Sequence, residues 1–96
     1  MENKDFNWIE DINPIIYFDN LEFNPHPAFW HAEKGAVQAT GHFPINGKWY
    51  SVVGGGMGLY GDGVNTFEVW GDDMDDVIGW LSIDEVNEWL IQMQSK

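Results

Sequence analysis

Ninety-six residues make one domain, and 44% hydrophobic with 16% aromatic side chains is enough apolar material for a packed core. Sixteen Asp and Glu against four Lys and no Arg give a formal net charge of -12, which disfavours direct binding to DNA, RNA or an anionic membrane. The absence of cysteine excludes disulfides, thiolate metal sites and a cysteine nucleophile, and it fits a reducing cytoplasm.

Residues 1–5 are polar and are expected to fray. No leader is visible there, because the first residues are acidic and lack an apolar stretch. Asp5 is placed to cap a short helix carrying Phe6 and Ile9, and Asn13-Pro14 would end it. From Ile15 the pattern is extended: Ile15-Ile16-Tyr17-Phe18 reads as a strand, Asp19-Asn20 as a turn and Leu21-Glu22-Phe23 as a second short strand. Pro25 and Pro27 interrupt regular structure, so 24–34 is expected to be an ordered loop anchored by Phe29 and Trp30.

The middle of the chain has the strongest local signals. Residues 36–43 and 48–53 read as two strands joined at Asn46-Gly47, a strong short-range hairpin signal. A glycine-rich stretch from Gly54 to Gly63 follows. Thr66–Trp70 is the next strand, with Phe67 and Val69 on one face and Glu68 and Trp70 on the other. Gly71-Asp72-Asp73 turns the chain, and 77–81 reads as a final strand. Ser82 and Glu85 form an S-x-x-E capping box, and Ile83, Val86, Leu90 and Met93 lie on one helical face that Trp89 widens. The expected fold is α+β: a small antiparallel sheet of three to five strands with a C-terminal helix packed on one face. Val37, Phe43, Val52, Phe67, Val69, Ile83, Val86 and Leu90 are the expected core.

Few patterns carry chemistry. Gly56, Gly58 and Gly61 spell G-x-G-x-x-G, but a turn into a strand follows where a nucleotide fold needs a helix, and no base is nearby. The stretch reads instead as a connection needing positive φ, or as a binding loop with Met57, Leu59 and Tyr60 at its apolar tip. Asp72-Asp73-Met74-Asp75-Asp76 fails as a calcium loop, because counting from Asp73 puts Val77 and Ile78 where a ligand and a glycine belong. His26, His31 and His42 have no metal-ligand spacing. No G-x-S-x-G elbow is present, Ser82 is committed to the helix cap, and neither an enzyme nor a cofactor is expected.

What stands out is acid. Asp72, Asp73, Asp75, Asp76, Asp84, Glu85 and Glu88 place seven carboxylates within 17 residues with no base among them. Acids in the first turn of a helix complement its dipole, but this excess goes beyond capping. One exposed negative face is expected, with Met57 and Tyr60 as a second contact region. Such a face suits a basic partner, because carboxylates pair with arginine much as phosphates do. In size, charge, lack of cysteine and aromatic content the chain resembles the small acidic proteins that phages and mobile elements use against restriction or CRISPR systems. That resemblance implies a cytoplasmic, non-catalytic inhibitor of a class that includes DNA mimics, bound to a nucleic-acid-handling effector or nuclease; it assigns no individual residue. Two alternatives fit the same sequence: an immunity protein that neutralises a nuclease toxin, and a structural module making oligomeric contacts.

Overall fold

The computed structural model describes residues 15–95, so the helix expected after Asp5 and the fraying of residues 1–5 lie outside the described residues. The chain forms β1 (Asn24–Pro25), α1 (Phe29–Glu33), β2 (Val37–His42), β3 (Trp49–Gly54), β4 (Thr66–Gly71), β5 (Ile78–Ser82) and α2 (Ile83–Gln94). The five strands pair antiparallel in sequence order, and α2 packs on β4 and β5. This is the α+β architecture expected from the sequence.

Local signals place β2 to β5 and α2 to within about a residue of their expected ends, whereas β1 and α1 form inside the 24–34 segment expected to be a loop. Ser82 caps α2: its hydroxyl accepts from the Glu85 amide, and the Glu85 carboxylate accepts from the Ser82 amide. The Asn46-Gly47 pair does turn the hairpin, but not as a two-residue loop. A type I′ turn needs positive φ at both central residues, and here only Gly47 has it (φ 73°). The Gly47 amide instead bonds the Phe43 carbonyl across a wider loop that begins at Pro44. Asn46 pins that loop by donating to the Met93 carbonyl of α2 (2.9 Å).

The core lies between the sheet and α2. Phe43, Val52, Val69, Val86 and Leu90 are fully buried, and Tyr50, Phe67, Trp89 and Met93 complete the cluster. Phe43 stacks on Tyr50 with ring centroids 4.6 Å apart. Two expected core residues are corrected. Val37 is only half-buried, because it starts β2 between Pro25 of the two-residue β1 and Gly54. Ile83 is 38% exposed, because it is the first residue of α2 and points off the end of the helix stripe.

The segment before the sheet also differs from expectation. Ile15–Phe18 is extended at its start but joins no strand, and Phe18–Asn20 is a 3₁₀ turn. Side-chain amides take the place of a neighbouring strand. Gln94 accepts from the Ile16 amide and donates to its carbonyl (both 2.7 Å), and Asn87 accepts from the Phe18 amide (2.9 Å). Leu21 and Phe23 turn inward and Glu22 outward as expected, yet the pairing itself begins only at Asn24. Phe18, Phe23 and Phe67 form an aromatic cluster that closes this side of the core. In the 24–34 region the anchor is His31, which is buried, whereas Phe29 and Trp30 are 76% and 49% exposed. A five-residue helix cannot bury all of its sides, and α1 turns His31 inward.

Candidate functional site

Strand alternation gives the sheet a second face, opposite α2, on which Ser51 and Val53 are buried and Trp70 is exposed. Register aligns Gln38, Val53 and Glu68 across β2, β3 and β4, and then Thr40, Ser51 and Trp70. Trp49 follows on the same face of β3, diagonal to Trp70. The two indoles meet edge to face with centroids 5.3 Å apart at 79°. Trp70 is held in place by its ring N–H, which donates to the Met74 carbonyl (3.2 Å).

The glycine-rich segment folds over the other half of this face. The Tyr60 amide donates to Glu68 Oε1 (3.0 Å), and the Trp80 amide donates to the Tyr60 carbonyl (2.7 Å). Tyr60 can come this close because residue 79 is glycine: a Cβ there would lie 2.2 Å from the Tyr60 Cβ. The G-x-G-x-x-G residues are therefore packing and turn positions: Gly56 abuts His31, Gly61 abuts the Phe67 backbone, and Gly58 has φ 88°. Met57 and Tyr60 stay 65% and 51% exposed, and the loop tip lies against Trp30.

Between the loop and the Trp49–Trp70 pair runs a groove of about 280 Å³. Val53, Leu59 and Val77 give it apolar walls, and Glu68 and His26 give it polar ones. Burial and the nearby His31 ring lower the His26 pKa, partly opposed by Glu68, which favours the uncharged ring at neutral pH. The groove holds a serine, a histidine and a glutamate, but they do not build a hydrolytic triad. His26 Nδ1 accepts from the Ala28 amide (3.1 Å), so the ring proton sits on Nε2. A triad histidine must donate to its acid through one nitrogen and present the other bare to the serine. Among the described residues no group of three or more His, Asp or Glu is arranged to hold a metal.

The hairpin acids lie next to the groove residues Trp49 and Val77. Asp72 Oδ2 accepts from the Trp49 amide (3.0 Å), Asp73 pairs with Lys48, and Asp76 accepts from the Val77 amide (2.7 Å). Asp72, Asp73, Asp75 and Asp76 are all exposed beside the two tryptophans. Asp84, Glu85 and Glu88 are exposed too, but they belong to α2, which begins at the far end of β5. The seven carboxylates expected to share one face therefore fall on two elements, the hairpin between β4 and β5 and the helix α2. Five strand residues at about 3.3 Å each put Asp84 and Glu85 roughly 15 Å from the hairpin acids, beyond the Debye length of about 8 Å at physiological salt. Glu88 lies further along α2, next to Trp89, which reaches back to Gly71.

Sequence reasoning missed the groove. Trp49, Glu68 and Trp70 lie on two strands, and only the register brings them together. It also missed Trp80, which is 63% exposed with φ 58°. Gly79 and Trp80 together face the single residue Glu68, a bulge that turns the indole outward beside Tyr60 (centroids 6.5 Å). A left-handed conformation costs a non-glycine residue roughly 1–2 kcal/mol. Trp80→Gly is therefore expected to raise stability by about 1 kcal/mol in urea denaturation, and Trp80→Val to lower it. A loss on Trp80→Gly would mean that the indole contributes more by packing than the backbone loses by strain.

Asp62 sets the shape of the loop that follows. Its Oδ1 accepts from the amides of Val64, Asn65 and Thr66, and these bonds depress its pKa from 3.8 to about 2. A depressed acid contributes order above its unfolded pKa and loses it as the pH falls through the folded one. Loop order should thus be complete above pH 3.8 and fade near pH 2. Amide shifts of Val64–Thr66 should titrate with a midpoint near the folded pKa; a midpoint near the ordinary value would show that the three bonds do not hold in solution.

Among the described residues no helix is long and apolar enough to cross a membrane. The chain matches no protein-family model, no curated protein and no solved structure.

Proposed function

We propose that this chain is a non-catalytic acidic inhibitor that docks the sheet face opposite α2 on a basic surface of a nucleic-acid-handling protein. Effectors of the restriction or CRISPR type, met in the cytoplasm of a host cell, are the favoured targets. The observation that carries the reading is the juxtaposition of the Trp49–Trp70 pair with Glu68 on the sheet face opposite α2, beside the Asp72–Asp76 hairpin. Exposed aromatics supply anchoring energy, and carboxylates beside them compete for the Lys and Arg that hold phosphates. A net charge of -12 steers the encounter toward such a surface. His26 is engaged through Nδ1 and no triad forms, which favours binding over catalysis.

The test is capture of the partner on the immobilised chain at low salt, followed by elution with duplex DNA or RNA. Nucleic acid should release the partner, and so should 1 M salt, where the Debye length falls to about 3 Å. A partner retained against both would sink the proposal.

A further inference from the structure

The groove on the sheet face opposite α2 has a composition that selects for one kind of side chain. Its walls are apolar, its end is a pair of indoles set edge to face, and Glu68 lies along its side. The Tyr60 amide holds Glu68 Oε1 at 3.0 Å, which fixes the carboxylate without neutralising it. Oε2 has no hydrogen-bond partner among the described residues. None of the described residues that line the groove carries a fixed positive charge. His26 is held in its neutral tautomer by the Ala28 amide. Of the two lysines among the described residues, Lys48 pairs with Asp73 and Lys34 lies at the end of α1.

We propose that this groove is a receptor for an arginine side chain, with the guanidinium against Trp49 and Trp70 and hydrogen-bonded to Glu68 Oε2. This rests on the docking reading above and names the chemistry that the partner presents. Guanidinium is planar and weakly hydrated, so it stacks on indole faces at little desolvation cost. An ammonium is compact and strongly hydrated and fits an apolar-walled groove less well. The methylene stem of arginine lies along Val53, Leu59 and Val77. The hairpin acids beside the groove attract the same charge and disfavour anionic ligands.

The probe is the blocked tripeptide acetyl-Gly-Arg-Gly-amide, with its citrulline counterpart as a neutral isostere, titrated into the ¹⁵N-labelled full chain. Indole N–H resonances of Trp49 and Trp70 and the backbone amide of Glu68 should shift saturably with the arginine peptide. Citrulline should bind at least about tenfold more weakly, because it keeps the shape and loses the charge-assisted bond. Glu68→Gln should cause a similar loss for the arginine peptide, while its retained Oε1 still accepts from Tyr60 and keeps the fold. An equal response to both peptides, or shifts confined to Asp72–Asp76, would overturn the assignment; the peptide comparison needs no variant. If the captured partner binds the parent and Glu68→Gln equally while nucleic acid still displaces it, the receptor is wrong and the docking reading survives. If the arginine peptide fills the groove but nucleic acid never displaces the partner, the receptor stands and the inhibitor reading fails.

Discussion

Leu90→Ala should cost about 2–5 kcal/mol in urea or thermal unfolding. Leu90 is fully buried in the middle of α2, within the cluster formed by Val52, Val69, Val86 and Met93. Truncation removes transfer energy and leaves a cavity that rigid strands β3 and β4 cannot collapse into. The effect is large for this chain because whole-domain stability is only about 5–15 kcal/mol. It should also spread. Asn87 and Gln94 of the same helix hold the backbone of Ile16 and Phe18, so amide protection at those two residues should fall with that of α2. Protection in the β2–β3 hairpin should fall less. A loss under about 0.5 kcal/mol would place Leu90 at the surface and contradict the packing of α2 on the sheet.

The second large effect concerns binding. Replacing Asp72, Asp73, Asp75 and Asp76 together by Asn should weaken the captured partner by at least about 2 kcal/mol, or roughly 30-fold. A carboxylate that pairs with a buried arginine carries about 2–5 kcal/mol, whereas a rim pair carries under about 1 and acts mainly on the on-rate. The fold should tolerate the change. Asn keeps a side-chain oxygen to accept from the Trp49 and Val77 amides. The exposed Lys48–Asp73 pair is lost, at under about 1 kcal/mol, and relief of repulsion among the hairpin acids offsets it. Neutralising Asp84 and Glu85 is the control. Those residues sit at the other end of β5, so the control should shift affinity by less than about threefold while weakening the α2 cap. Equal effects from the two sets would mean that affinity follows total charge, and the groove would no longer mark the contact.

How much of this was legible follows the range of each interaction. The capping box at Ser82 and Glu85, the alternation of β2 to β4 and the stripe Val86, Leu90 and Met93 depend on neighbours within a few residues, and each could be read directly from the chain. Exposure of the hairpin acids was equally legible, because adjacent aspartates have no cheap way to be buried. Non-local partners decided the rest. Ile15–Phe18 has strand chemistry, but its backbone bonds to Gln94 and Asn87, more than sixty residues away in sequence. His31 rather than Trp30 anchors α1 because the facing surface is Gly56, a vacancy that only the folded loop provides. The separation of Asp84 and Glu85 from the hairpin acids came from the length and direction of β5, which composition does not record. The groove needed most of all the register of three strands. A one-residue slip of β3 against β4 would send Trp49 to the face opposite Glu68 and Trp70, so their meeting is a property of the sheet, held by the core packing on its other side.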